Sequence, residues 1–306
     1  MENARNKPVG RFAPTPSGRM HLGNIFSAMI GYLSAKSRGG DYLLRIEDLD
    51  PLRCPRSSAD LITSDLDYFG FEFDGSVLWQ SERTEIYEKY LDNLRNKGLL
   101  YPCFCSRSML HVSTAPHGET PVYSGKCRGL SKESYPDRGG STRVIVPDDT
   151  IRVHDLLQGD YSQNLAKECG DFIVRRSDGV FAYQLAVVID DGESGVNEIV
   201  RGKDLLSSAP RQLYLFDLFG FSRPEFLHVP LIFDADGERM SKRLGKSNME
   251  YIRATFPDPR PVIGMLAYNA GLLDRYEPLS LKELVPLFDV SRLRADDIIL
   301  DACGLF

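Results

Sequence analysis

The sequence predicts an α/β fold built on a doubly wound parallel sheet, and three stretches carry that expectation. Val9 to Ala13 reads as a short strand. A loop broken by Pro14, Pro16 and Gly18 joins it to a helix whose apolar residues, Leu22, Ile25, Phe26, Met29, Ile30 and Leu33, recur at helical spacing. Arg38-Gly39-Gly40 stops that helix, and Asp41 to Ile46 returns as a second strand. Strand, helix and strand in succession make a βαβ unit, which needs a parallel neighbour and a right-handed crossover. Far along the chain the pattern recurs: Ile199-Val200-Arg201 runs as a strand into Gly202, and Ser208-Ala209-Pro210 opens a helix from Arg211 to Phe219. The carboxyl ends of parallel strands open onto one crevice, so Arg11 to Thr15, Glu47 and Arg201 should meet there.

With 306 residues, 42% hydrophobic and 26% charged, the chain can form one or two globular domains with a sizeable core. Met1 to Pro8 is polar, and no apolar run approaches the ~18 residues that a membrane span requires, so the expected compartment is the cytoplasm. A net charge of −6 excludes a generally basic polyanion binder, and any RNA contact has to be a local patch. Six cysteines, at 54, 103, 105, 127, 169 and 303, are spread too unevenly for a disulfide framework.

After the second strand, Ser57 to Phe69 (Ile62, Leu66 and Phe69 in register) and Glu82 to Lys97 (Ile86, Tyr90, Leu94, closed by Gly98) are amphipathic helices expected to pack on the sheet. From Tyr101 to about Arg143 the chain turns rich in Ser, Gly, Pro and His. So little core calls for a staple, and the thiolates of Cys103, Cys105 and Cys127 supply three soft ligands for tetrahedral zinc. Spacing leaves the fourth ligand open, with His111 and His117 as imidazole candidates. Short alternating runs such as Thr142 to Val146 suggest small β structure, and Phe181 to Asp191 returns to the sheet or to a helix beside it, with Tyr183 polar enough to serve a site. A strand-like run from Phe226 to Phe233 and an Asp236-Gly237 turn follow, and from Tyr251 to Phe306 Val262, Met265, Leu266, Leu281, Leu284 and Leu287 indicate a helical segment.

Chemistry concentrates at two short motifs. His21-Leu22-Gly23-Asn24 opens the first helix, where unpaired N–H groups and the positive end of the macrodipole seat an anion and Gly23 lets a ligand approach the backbone. Arg239-Met240-Ser241-Lys242-Arg243 follows the late strand. Gly245-Lys246-Ser247 imitates the end of a Walker A loop, but Met240 stands where its first glycine belongs.

Together these motifs resemble the HIGH and KMSKS signatures of class I aminoacyl-tRNA synthetases. Arg11 to Gly18, Arg45-Ile46-Glu47-Asp48-Leu49-Asp50 and Ile199 to Leu205 resemble the glutamyl-tRNA synthetase branch, from about Val9 to about Val290. The length and the cysteine cluster are similar to a truncated subgroup of that branch without the anticodon-reading domain. The resemblance implies a Rossmann-like catalytic domain in two halves, residues 1–101 and 181–247, a zinc-containing tRNA-contacting insertion at 102–180, and a C-terminal helical segment at 248–306. It implies Tyr123 as the fourth zinc ligand, because Tyr-x-x-x-Cys matches the family's motif.

The implied reaction activates L-glutamate with ATP, accompanied by Mg2+, to glutamyl-adenylate without tRNA. Glutamate then passes to the queuosine base at the wobble position of tRNA(Asp). His21 and Lys242 are the expected catalytic residues; His21, Gly23, Asn24, Ser241 and Lys242 bind ATP, Lys242 closing over the departing pyrophosphate. Arg11, Phe12, Ala13, Pro14, Thr15, Glu47, Tyr183 and Arg201 bind glutamate; two guanidinium groups and one carboxylate complement its charges and favour it over glutamine. Arg107, Lys126, Arg128 and Arg143 are expected to grip the anticodon stem-loop, with the protein a monomer and no membrane involved. The alternatives are a truncated enzyme charging a tRNA 3′ end and an inactive zinc-containing RNA-binding paralogue.

Overall fold

The computed structural model describes residues 7–106, 122–131, 139–234, 237 and 249–300. The first βαβ unit forms as expected: β1 (Val9–Phe12) and β2 (Asp41–Ile46) pair in parallel, Val9 opposite Asp41, with α1 (Leu22–Ser37) between them. α2 (Arg56–Phe69) leads to β3 (Leu78–Trp79), which extends this sheet in parallel beyond β2. α3 (Thr84–Asn96) buries Tyr87, Leu91 and Leu94, a face turned slightly from the expected one, so that Ile86 and Tyr90 are only half-buried.

A three-stranded antiparallel sheet comes next, with β5 (Ser141–Val144) at its centre, flanked by β4 (Leu100–Cys103) and β8 (Phe172–Arg175). Between β5 and β8 lie the hairpin β6 (Thr150–Asp155) and β7 (Gly159–Asn164) and the short helix α4 (Leu165–Glu168). α5 (Tyr183–Glu193) settles the Phe181 to Asp191 run as a helix after a single bridge at Phe181. β9 (Glu198–Gly202), α6 (Ala209–Phe219) and β10 (Glu225–Val229) complete a parallel unit, Phe226 opposite Ile199. β6 joins it: Phe226 pairs with Asp155, so part of the 102–180 stretch is hydrogen-bonded into the sheet of residues 198–229.

The expected strand over Phe226 to Phe233 is broken at Pro230, which has no N–H to donate, and resumes as β11 (Ile232–Asp234). The C-terminal stretch holds α7 (Met249–Thr255), α8 (Arg260–Asn269) and α9 (Leu281–Leu284). It also holds a strand the sequence did not suggest, β12 (Ile298–Leu300), parallel to β11. Leu287, expected on the buried face, is exposed.

Asn197 ties the two main sheets together: its N–H donates to the Val9 carbonyl at 3.1 Å and its Oδ1 accepts the Val9 N–H at 2.8 Å. Strand alternation then feeds two cores. Phe12, Leu44, Val200 and Leu227 face α1 and the C-terminal helices, while Val153, Ile199 and Phe226 face α3, α5 and α6. Helices on both faces of parallel strands are the doubly wound arrangement. No described helix is long and apolar enough to cross a membrane.

Candidate active site

A cleft of ≈ 590 Å³ opens at the carboxyl ends of β1, β2 and β9, and Arg11, Phe12, Ala13, Pro14, Thr15, His21, Gly23, Asn24, Glu47, Tyr183 and Arg201 all line it. Residues as distant in the chain as Arg11 and Arg201 thus share one cavity because the crossovers return each strand in the same direction. Ser241 and Lys242, with the rest of their motif, lie outside the described residues.

At one end of the cleft His21 is the N-cap of α1, in extended backbone, and the Asn24 Oδ1 accepts the His21 N–H at 3.1 Å. That lock sets the first turn: the Asn24 N–H donates to the His21 carbonyl at 2.9 Å, and the positive end of the helix dipole at Leu22 and Gly23 favours an anion. Arg19, in the preceding loop, pairs with buried Asp65 at 3.4 Å, and Arg253 of α7 pairs with the same carboxyl at 3.0 Å. Asp65 therefore ties the loop before α1 to the helix that follows residues 238–248.

The other end is a buried charge network. Arg11 Nε donates to Asp191 at 3.0 Å, and Arg45 donates to Asp191 at 2.5 Å and to Glu47 at 3.3 Å. Thr15 Oγ1 donates to the second Glu47 oxygen at 3.4 Å. Burial raises the Glu47 pKa despite Arg45 and Arg11, whereas at Asp191 the same two cations outweigh burial and hold the carboxyl below its ordinary value. Behind them Asp190 accepts from Gln80 and Arg83 at 2.7 Å and from Tyr87 at 2.9 Å.

Arg201 is fixed from a different side: Nη1 donates to Gln212 at 2.7 Å, Nη2 to the Leu205 carbonyl at 3.3 Å, and Nε to His228 Nε2 at 3.0 Å. His228 in turn meets Asp155 at 2.5 Å. Burial, with Arg201 adding to it, lowers the His228 pKa against the pull of Asp155. The sequence reading missed Asp190, Asp191, Gln212 and His228. The available signal was polar residues set inside apolar runs, a pair of aspartates in Ala186 to Ile189's helix and a histidine between Leu227 and Val229.

Outside the cleft the three thiols come together: the sulfurs of Cys103, Cys105 and Cys127 lie within 4.8 Å of one another. Cys105 and Cys127 are 3.7 Å apart, close to the roughly 3.8 Å edge of a tetrahedron with ~2.3 Å zinc–sulfur bonds. Tyr123 Oη is 3.4 Å from Cys103 Sγ and accepts the Cys127 N–H at 3.0 Å. An acceptor oxygen beside three thiols fits a hard fourth donor for a divalent cation, so this group can hold zinc. His111 and His117 lie outside the described residues. Arg143, expected to reach for RNA, is instead buried, 3.7 Å over the Tyr123 ring and donating to the Asp171 carbonyl at 2.5 Å. Arg128 is half-exposed but forked onto Asp171, Lys126 is exposed, and Arg107 lies outside the described residues.

The family described as tRNA synthetases class I (E and Q), catalytic domain, matches residues 8–267. A glutamyl-Q tRNA(Asp) synthetase of Symbiobacterium thermophilum is 42% identical over 311 residues, covering 96% of this chain and 96% of that protein. Another, of Thiobacillus denitrificans, is 46% identical over 236 residues, 77% of each chain. Among solved structures, a glutamate tRNA ligase of Elizabethkingia meningosepticum in complex with its amino acid superimposes with a TM-score of 0.80 at 25% identity, covering 98% of this chain and 68% of that one. The glutamate-tRNA synthetase of Elizabethkingia anophelis, at 24% identity and a TM-score of 0.81, shares the fold over 98% of this chain and 69% of its own. With its parallel-strand cleft and a match spanning residues 8–267, the chain belongs to the class I tRNA synthetases of the E and Q type.

Proposed function

We propose that the protein activates L-glutamate with ATP in the absence of tRNA and transfers it to the queuosine base at the wobble position of tRNA(Asp). The observation that carries this is a cleft holding two guanidinium groups, a carboxylate and a helix N-terminus, in a chain similar over 96% of its length to a glutamyl-Q tRNA(Asp) synthetase. A glutamate carboxylate oxygen attacks the α-phosphorus of ATP and pyrophosphate leaves. A hydroxyl of the queuosine cis-diol then attacks the adenylate carbonyl and AMP leaves. Neither step needs a protein nucleophile; the work is alignment of anions and charge stabilisation.

Arg11 and Arg201 take the carboxylates, Glu47 and Tyr183 the ammonium end, Phe12 to Thr15 the chain between them. His21, Gly23 and Asn24 seat the phosphates with Mg2+, and Ser241 and Lys242 close over the pyrophosphate. Cys103, Cys105, Cys127 and Tyr123 hold a structural zinc in the tRNA-contacting segment 102–180, set between catalytic halves at 1–101 and 181–247 and followed by a C-terminal segment at 248–306. The protein works as a cytoplasmic monomer that docks the anticodon stem-loop against the cleft.

The test has two arms. Glutamate-dependent ATP–pyrophosphate exchange is expected without tRNA. Labelled glutamate is expected on queuosine-containing tRNA(Asp) even after its 3′-terminal adenosine is removed, and absent from the unmodified transcript. Equal labelling of tRNA(Glu) that requires the terminal adenosine would favour a 3′-charging enzyme instead.

A further inference from the structure

We infer that His228 is a positioning residue for Arg201: held as a single neutral tautomer by Asp155, it supplies at Nε2 the acceptor that aims the guanidinium into the cleft. This deepens the reading above, since it rests on Arg201 as the grip on a substrate carboxylate.

The protonation pattern follows from chemistry alone. Arginine has five N–H donors and no acceptor. The 3.0 Å contact of Arg201 Nε with His228 Nε2 therefore requires a lone pair on Nε2. The proton of the neutral ring then stands on Nδ1, where Asp155 Oδ2 receives it at 2.5 Å. Asp155 is itself immobilised, accepting the His228 N–H at 3.0 Å and the Leu157 and Gln158 N–H groups at 3.0 and 2.8 Å. The imidazole is fully buried and stacks on Phe226 at 5.7 Å with 14° between the planes, and the Arg201 guanidinium lies over the same ring at 5.4 Å. The Phe226 ring and a carboxylate anchored to backbone N–H groups thus determine where Nε2 points.

The geometry has a purpose that packing alone would not demand. With Nε, one Nη1 hydrogen and one Nη2 hydrogen engaged by His228, Gln212 and Leu205, each terminal nitrogen has a second hydrogen to offer the cleft, where the Tyr183 hydroxyl also meets the guanidinium. A carboxylate is gripped by a pair of guanidinium hydrogens held in a fixed plane. An acceptor at Nε locks that plane, and a binding site performs only when its side chains are held to roughly 10–20°. Asp155 stands at the end of β6, so the strand pair within residues 102–180 contributes directly to the frame of the cleft.

Glutamine can place an amide oxygen near the Nε2 position, whereas asparagine can satisfy Asp155 but reaches no further. In ATP–pyrophosphate exchange, His228→Asn is expected to raise the KM for glutamate roughly tenfold or more with the KM for ATP unchanged, as loss of a hydrogen bond to a charged group implies. His228→Gln should recover most of that loss. Nitrogen-15 histidine spectra of the unaltered protein should show His228 protonated at Nδ1 and bare at Nε2. A ring protonated at Nε2, or Asn and Gln variants impaired alike, would overturn the relay. If Arg201→Lys leaves the glutamate KM unchanged, the carboxylate assignment itself fails. If Arg201→Lys is impaired and His228→Asn is normal, the relay alone fails.

Discussion

At Asp191 one carboxylate answers guanidinium groups from two strands, Arg11 of β1 and Arg45 of β2, and all three side chains are buried. Removing one member of a buried, hydrogen-bonded charge set costs about 3–5 kcal/mol, because the remaining charges lose their compensation without regaining water. Asp191→Ala is therefore expected to lower the unfolding free energy by about that much in urea titration and to raise the glutamate KM through a misplaced Arg11. An unchanged urea midpoint would show that the network is not what holds β1 and β2 to α5. Arg11, Glu47 and Arg201 were legible in the sequence because a charge at the end of an apolar strand has few uses other than facing a crevice. Their partners were not. Asp191 and His228 sit within apolar runs, and helical or strand periodicity cannot distinguish a face packed on hydrocarbon from one packed on a buried arginine. Arg143 misled in the opposite sense: nothing in a sequence separates an arginine that covers Tyr123 from one that waits for phosphate.

Among the elements, the antiparallel sheet β4-β5-β8 sends Val144, Phe172 and Val174 into the larger core, whereas among the described residues its other end carries the small cluster of Tyr101, Cys103, Tyr123 and Cys127. Gly170 marks how closely the loop of residues 122–131 is seated there: its φ is +69°, and a Cβ would stand 2.3 Å from the Tyr123 carbonyl oxygen. A zinc bound to those side chains would contribute its binding energy to folding. Chelation is expected to remove amide hydrogen-exchange protection from β4, β5 and residues 122–131 while β1, β2 and α1 keep theirs, and Tyr123→Phe should release the metal faster to the chelator. Full, slow-releasing occupancy in Tyr123→Phe would move the fourth position to another donor. Cysteine spacing was enough to find the cluster because thiolates have few other reasons to gather in a polar stretch. Strand β12 was invisible for a different reason: three residues are too few to carry a period, and its partner is chosen by tertiary pairing with β11.

For the molecule as a whole, the carboxylates that join distant segments should govern its response to acid. Asp155 links β6 to β10, Asp191 links α5 to β1 and β2, and Asp171 accepts the Tyr101 hydroxyl at 2.6 Å and the Arg128 Nε and Val146 N–H groups at 2.8 Å. In each case burial pushes the pKa up and hydrogen bonds, joined by arginine cations at Asp171 and Asp191, bring it down further, to a net value below the ordinary one. With a folded pKa depressed below the unfolded value of about 3.9, the unfolded chain binds more protons, so stability rises with pH through that window. The contribution is fully present above the unfolded pKa and is lost as pH falls through the folded one. Glu47 and Asp65, whose pKa values burial raises, act with the opposite sign: they reduce stability as pH climbs from the unfolded value to the folded one. Their effect is common to any comparison that leaves them in place. Asp171→Asn should therefore be less stable than the unaltered protein at neutral pH, and the difference in urea midpoint should shrink as pH falls below about 4 until the two curves meet. A gap that stays constant down to the acid transition would mean that Asp171 stabilises by shape and neutral hydrogen bonding, and that its charge does not contribute to holding β4, β5 and residues 122–131 together.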